Sequence, residues 1–226
     1  MAIILNIETA TKNCSVSLSD KNRILALAEL NEGQFSHAEK LHTFILEVLK
    51  SAKKTMQDID AVSVSKGPGS FTGLRIGVSA AKGLCFSLDK PLISISTLSS
   101  LANTVNINKG EFIIPLLDAR RMEVYCSVFD HDHLQIRKTK AEIIDKNSFS
   151  EFLEKGKVFF LGDGAEKCKE IIKHKNAVFL DNYFPSAKEM VKLSFEKYSK
   201  KQFEDLAYFE PYYLKDFIAG IPKKLL

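Results

Sequence analysis

The chain has no tryptophan, only four cysteines and six prolines in 226 residues, and no long apolar run. Cys14, Cys85, Cys126 and Cys168 stand far apart, and no two form a C-x-x-C pair. That spacing supplies neither a zinc knuckle nor a dithiol redox motif, and it predicts reduced, buried thiols in a cytosolic protein. No apolar stretch approaches the ~18 residues that a membrane span needs. The N-terminal run Met1-Ala-Ile-Ile-Leu-Asn-Ile-Glu8 lacks a basic leader and meets Asn6 and Glu8 too early for a signal peptide. The expectation is a cytoplasmic protein with no membrane contact. Charge of one sign is scarce as well. The net charge is +4, with no basic tail and no arginine stripe, so strong autonomous binding of nucleic acid is not implied.

What is present is an ordinary globular composition, 45% hydrophobic and 27% charged, with enough apolar material for a core. Runs of apolar and β-branched residues predict strands at 2–8, 13–19 and 23–30, joined by tight polar turns into an antiparallel meander. Helical spacing of Leu41, Phe44, Ile45, Val48 and Leu49 predicts a helix over 36–53, with Ser36 as N-cap and Glu39 three residues on. A strand at 61–65, a helix at 71–88, a strand at 92–96 and a short helix from Thr97 follow. The second half repeats the order: strands at 111–117, 123–129 and 134–139, then helix, strand, helix, strand at 177–180 and a helix at 186–200. Two tandem βββαβαβα lobes facing across a cleft, residues 1–100 and 101–226 with a C-terminal helix and tail in the second, give an α/β fold of the actin-like ATPase (ribonuclease H-like) type.

The most informative segment is Ser65-Lys-Gly-Pro-Gly-Ser-Phe-Thr-Gly-Leu-Arg-Ile-Gly77. A strand ends in a Gly67-Pro68-Gly69 turn and passes directly into a helix. Gly73, Gly77 and Ala81 recur at i, i+4 and i+8, leaving one helix face nearly bare, so that another backbone can approach closely. The segment is not a Walker loop, because no Gly-Lys-Ser/Thr closes it. It reads as a ligand loop or as a docking helix. The helix over 36–53 carries more apolar positions than one buried stripe needs, which suggests a core on one side and a partner on the other.

Elsewhere the chemistry is thin. The first hairpin turn, Glu8-Thr9-Ala10-Thr11-Lys12-Asn13, stands where nucleotide-using members of the superfamily carry Asp-x-Gly-Thr. Glu8 replaces the shorter carboxylate and Ala10 replaces the glycine, leaving Thr9 and Thr11 as hydroxyl donors for a weak nucleotide site. Gly162 and Gly164 in Gly162-Asp163-Gly164-Ala165 either touch such a ligand or make a plain strand-to-helix turn. His37 and His42 are five apart, about 140° around a helix, and so too far round to share a metal. Asp130-His131-Asp132-His133 reads as a polar hairpin turn. Asp118, at a strand end before Ala119-Arg120-Arg121, reads as a general base without a partner or as one half of an Asp–Arg pair. No catalytic residue and no metal ligand is assigned.

The pattern GPGSFTGLRIG, together with Ile4-Leu5-Asn6-Ile7-Glu8-Thr9-Ala10, Leu117-Asp118-Ala119-Arg120 and Pro211-Tyr212-Tyr213-Leu214-Lys215-Asp216, closely resembles the TsaB (YeaZ) family. The resemblance implies a noncatalytic subunit that pairs with a catalytic TsaD-like subunit. That subunit transfers threonylcarbamoyl to N6 of adenosine 37 in transfer RNAs reading codons that start with A. It further implies a TsaE-like ATPase as partner, a homodimer when the chain is alone, and indirect or weak contact with tRNA. No cofactor of its own is implied, although a nucleotide at the partner interface stays open. The expected partner interface comprises Ala38, Leu41, His42, Ile45, Leu46, Leu49, Gly73, Arg75, Ile76, Gly77, Ala80, Ala81 and Leu84. The alternatives are a metallopeptidase or ATP-dependent enzyme of the same fold, and a homodimeric interaction protein with no RNA role.

Overall fold

A computed structural model describes residues 2–31 and 36–215, and in them the βββαβαβα order occurs twice. The first pass is β1 (Ile3–Glu8), β2 (Cys14–Asp20), β3 (Arg23–Leu30), α1 (His37–Ser51), β4 (Ala61–Gly67), α2 (Phe71–Leu88), β5 (Leu92–Ser96) and α3 (Thr97–Ala102). The second is β6 (Phe112–Asp118), β7 (Glu123–Phe129), β8 (Gln135–Ile143), α4 (Ser150–Leu153), β9 (Val158–Leu161), α5 (Ala165–Lys169), β10 (Ala177–Leu180) and α6 (Ala187–Ser199). Each pass builds one five-stranded sheet, ordered β3-β2-β1-β4-β5 and β8-β7-β6-β9-β10. The first three strands of each sheet are antiparallel, and the last two join parallel to the central one. This is the duplicated actin-like, ribonuclease H-like lobe.

Central strands must be apolar on both faces when helices cover both. β1 meets that demand, and every one of its residues is buried. β2 alternates instead. Cys14, Val16 and Leu18 join the core beneath α1 and α2, whereas Ser15, Ser17 and Ser19 face the other way. Such alternation ordinarily marks a solvated face, yet all three serines are fully buried. The cover is α6. Ser15 Oγ accepts from the Ala187 N–H at 2.8 Å, Ser17 Oγ donates to the Ala187 carbonyl at 2.9 Å, and Asn13 Nδ2 donates to the Pro185 carbonyl at 2.9 Å. Ala187 and Met190 complete this face against Ile4, Ile93 and Ile95.

The lobes therefore exchange their last helices. α6, placed with residues 101–226 by sequence order, packs on the first sheet. α3 packs on the second, where Leu98 and Leu101 meet Ile113, Leu117, Phe129 and Leu161. All four cysteines are free and buried, and desolvation pushes their thiols up to about 11 or about 12, so none offers a thiolate near neutral pH. No helix of the described residues is long and apolar enough to cross a membrane. Of the Pro211–Asp216 motif, Asp216 lies outside the described residues.

Candidate partner-docking face and a closed phosphate turn

The glycine-rich segment performs one task that its sequence left open. The Gly67–Pro68 peptide is cis, Ser70 caps α2 by accepting from the Gly73 N–H at 3.2 Å, and the helix lies against the β1–β2 turn. Ser70 N–H donates to the Ala10 carbonyl at 2.7 Å, and Thr9 Oγ1 donates to the Gly73 carbonyl at 2.8 Å. A Cβ at Gly69 would collide with Ala10, at Gly73 with the Thr9 carbonyl, and at Gly77 with Thr9 Oγ1. Gly73, Gly77 and Ala81 are all buried. The small-residue face is thus spent inside the chain, where it receives a hairpin turn, and it is not open to a second helix.

The same packing closes the position of the phosphate loop. Thr9 is fully buried with its hydroxyl engaged, and Thr11 is buried with its carbonyl bound to His37 Nε2 at 2.7 Å. The pair Thr9 and Thr11 therefore forms no open cradle. Glu8 accepts from the Ala10 N–H at 2.7 Å, while Oε2 has no hydrogen bond among the described residues. Burial pushes the Glu8 carboxyl up to about 7, opposed by the Ala10 N–H and the nearby Ser65 hydroxyl. Sealed from solvent, it has no room to hold a hydrated cation. This has a measurable consequence. The unfolded carboxyl ionises near 4.5, so the Glu8 contribution to stability is fully present below that pH and is lost as pH rises through about 7. Glu8→Gln is expected to exceed wild type in unfolding free energy by up to about 3 kcal/mol at pH 8, with the advantage vanishing near pH 4.5. Denaturant titrations across this range check it, and a difference that does not vary with pH contradicts it.

The second-lobe residues are also occupied by their own chain. Gly162 has φ of 107°, and a Cβ there would strike the Leu116 carbonyl; one at Gly164 would come within 3.0 Å of the Leu117 carbonyl carbon. Both serve a strand-to-helix turn, and neither lines an open site. Asp118 pairs with Lys167 rather than with an arginine, because Lys167 reaches over from α5 and also donates to the Arg121 and Glu123 carbonyls at 2.8 and 2.6 Å. Asp163 is exposed as a residue, but desolvation of its carboxyl by the surrounding chain raises its pKa, opposed by the N–H of Asp118 that it accepts at 3.0 Å. His37 is buried and His42 exposed, and His133 Nε2 bonds the Val105 carbonyl at 2.9 Å. Among the described residues no three His, Cys, Asp or Glu side chains gather as a metal site.

The outer face of α1 and α2 is different. On α1, Leu41, Ile45, Val48 and Leu49 point into the core, while Ala38, His42 and Leu46 form an exposed row, Leu46 at 62%. Ser36 makes no side-chain cap to this helix. On α2, Ile76, Ala80 and Leu84 are half-buried against the core, and Arg75, Ser79, Gly83 and Phe86 share the outer row. Phe86 is 83% exposed, and a Cβ at Gly83 would meet nothing within 4 Å. Both helices begin at one end of the lobe, where His37 lies against Gly73. The expected interface residues thus divide. Ala38, His42, Leu46 and Arg75 face outward; Leu41, Ile45, Leu49, Gly73, Gly77 and Ala81 are buried within the lobe. Sequence reading missed Gly83 and Phe86. Gly83 lies two residues past Ala81, about 200° round the helix from the small row, and that offset is the signal that separates the two faces.

Comparison with known proteins identifies the family and the fold. The family model described as "TsaD: tRNA N6-adenosine threonylcarbamoyltransferase" matches residues 32–223. The tRNA threonylcarbamoyladenosine biosynthesis protein TsaB of Escherichia coli K12 is 28% identical over 224 residues, covering 96% of each chain. The TsaB of Buchnera aphidicola subsp. Schizaphis graminum is 33% identical over 207 residues, covering 88% of this chain and 95% of that protein. The solved structure of YeaZ from Pseudomonas aeruginosa shares the fold with a TM-score of 0.81, at 24% identity over 95% of this chain and 100% of that one. The chain belongs to the TsaD-like family of tRNA threonylcarbamoyladenosine proteins, in its TsaB (YeaZ) branch.

Proposed function

We propose that this chain is a noncatalytic, kinase-like subunit of tRNA threonylcarbamoyladenosine biosynthesis. It docks a TsaD-like catalytic subunit through the outer rows of α1 and α2, and so supports transfer of threonylcarbamoyl to N6 of adenosine 37. The observation that carries this reading is a contrast within one lobe. The turn that would hold a phosphate is filled by the chain's own glycine helix, whereas the opposite side of the same helix presents Phe86 and a bare Gly83 to solvent. A large aromatic beside a position without a side chain is suited to a close helix–helix contact. Without the partner, the same face pairs two copies of this chain, and a TsaE-like ATPase joins the assembled pair. The chain supplies shape rather than reacting groups: among the described residues its one fully buried carboxyl, Glu8, is closed off from any substrate. Reconstituted threonylcarbamoyl transfer with and without this chain tests the reading.

A further inference from the structure

The β6–β7 turn holds two arginines in a conformation that arginine does not favour. Arg120 and Arg121 have φ of 67° and 52°, two successive residues in the left-handed region, in a turn that the Glu123 N–H closes onto the Arg120 carbonyl at 3.3 Å. Asn and Gly adopt this region at the least cost. Here the turn is imposed from outside. Arg120 N–H donates to Asp118 Oδ1 at 2.9 Å, Ala119 N–H donates to the Glu123 carbonyl at 3.1 Å, and Asp118 N–H is held by Asp163. Lys167 then fastens Asp118 and the carbonyls of Arg121 and Glu123 together.

With the backbone fastened, both arginines are exposed, and neither guanidinium forms an ion pair among the described residues. The neighbouring carboxylates are already matched, Asp118 by Lys167 and Glu123 by Lys215. Lys12, exposed on the β1–β2 turn, adds a further cation close enough to act on Asp163. Strain kept in place by a surrounding clamp points to a use for the residues that bear it. The location fits such a use. Asp118 ends β6 as Glu8 ends β1, and the N-terminal ends of α1 and α2 pack against the turn that follows β1. Lys12 on that turn acts on Asp163, which holds the Asp118 N–H, so the helix starts and the arginine turn lie at the same end of the molecule.

We propose that Arg120 and Arg121 grip the phosphate backbone of the tRNA substrate in the assembled complex, an inference that rests on the functional reading above. Guanidinium forks match phosphate oxygens in pairs, and two such contacts add affinity without making the isolated chain a strong nucleic-acid binder. The test is fluorescence anisotropy of labelled, unmodified tRNA with the complex of this chain and its catalytic partner, across a salt series. R120N/R121G places residues that tolerate the left-handed region at both positions and removes both charges. Its thermal midpoint is expected to equal or exceed that of wild type. Its tRNA affinity should fall roughly tenfold near 0.1 M salt, and its salt slope by about 1–2. R120K/R121K should keep most of the slope. Unchanged affinity and slope in R120N/R121G overturn the inference. So does weakened assembly with the catalytic subunit at an unchanged tRNA slope, which would assign the arginines to an acidic protein surface. Transfer activity measured in the same preparations separates the two levels. A wild-type chain that fails to stimulate transfer removes the functional reading, whereas stimulation with normal tRNA binding by the variant removes only the arginine contact.

Discussion

Gly77→Leu is expected to destabilise the folded chain by about 1–3 kcal/mol, and not merely to block a partner. Leucine in place of glycine inside a helix gains about 1 kcal/mol of intrinsic propensity. Against this, its Cβ would enter the space held by Thr9 Oγ1. Overpacking a tight contact costs about 1–3 kcal/mol, and displacing Thr9 breaks its hydrogen bond to the Gly73 carbonyl, about another 1 kcal/mol. The β1–β2 turn cannot yield, because Ala10 and Thr11 are tied to Ser70 and His37. The clash therefore outweighs the propensity gain. For a chain of this size the thermal midpoint should drop by roughly 2–12 °C. Gly83→Leu is the control on the same helix, since a side chain there meets nothing within 4 Å. It should leave the midpoint unchanged or slightly raised. Equal midpoints for the two variants would contradict the packing described here.

Leu46→Asp and Phe86→Asp should have the opposite signature. Both side chains are largely exposed, at 62% and 83%, so each substitution is expected to change stability by no more than about 0.5 kcal/mol. At a docked helix face, however, each would bury an unpaired carboxylate, and a central apolar anchor is typically worth about 2 kcal/mol or more. Affinity for the catalytic subunit should fall at least about 30-fold per substitution, as read by calorimetry on the purified pair. If the same rows pair two copies, as proposed, self-association should weaken in parallel. Wild-type affinity in both variants would move the docking face elsewhere on the molecule.

The element order was legible because each strand is a short β-branched run and each main helix repeats at helical spacing. Ile3–Glu8 and Leu41–Leu49 needed no tertiary information. The turn nature of Gly67-Pro68-Gly69 was equally plain. Its occupant was not, since Thr9 and Gly73 are 64 residues apart and their hydrogen bond leaves no local trace. The bare glycine face was assigned to a partner when the chain itself fills it. The alternating serines of β2 concealed a second long-range fact, because a strand polar on one face looks the same whether water or a helix end satisfies its hydroxyls. For that reason α6 followed the second lobe in sequence order although it covers the first sheet. Asp118 was matched to a neighbouring arginine by proximity along the chain, and Lys167, 49 residues away, is the partner in space. Residue type and spacing gave the faces of α1 and α2. Which face turned inward was decided by packing.

The most direct test of the central claim is threonylcarbamoyl transfer to unmodified tRNA by the catalytic subunit and ATPase, with and without this chain. The account predicts transfer that depends on the chain, persists in Glu8→Gln, and is lost in Phe86→Asp together with partner binding. Transfer abolished by Glu8→Gln while the complex still assembles would show reacting chemistry in this subunit and contradict it.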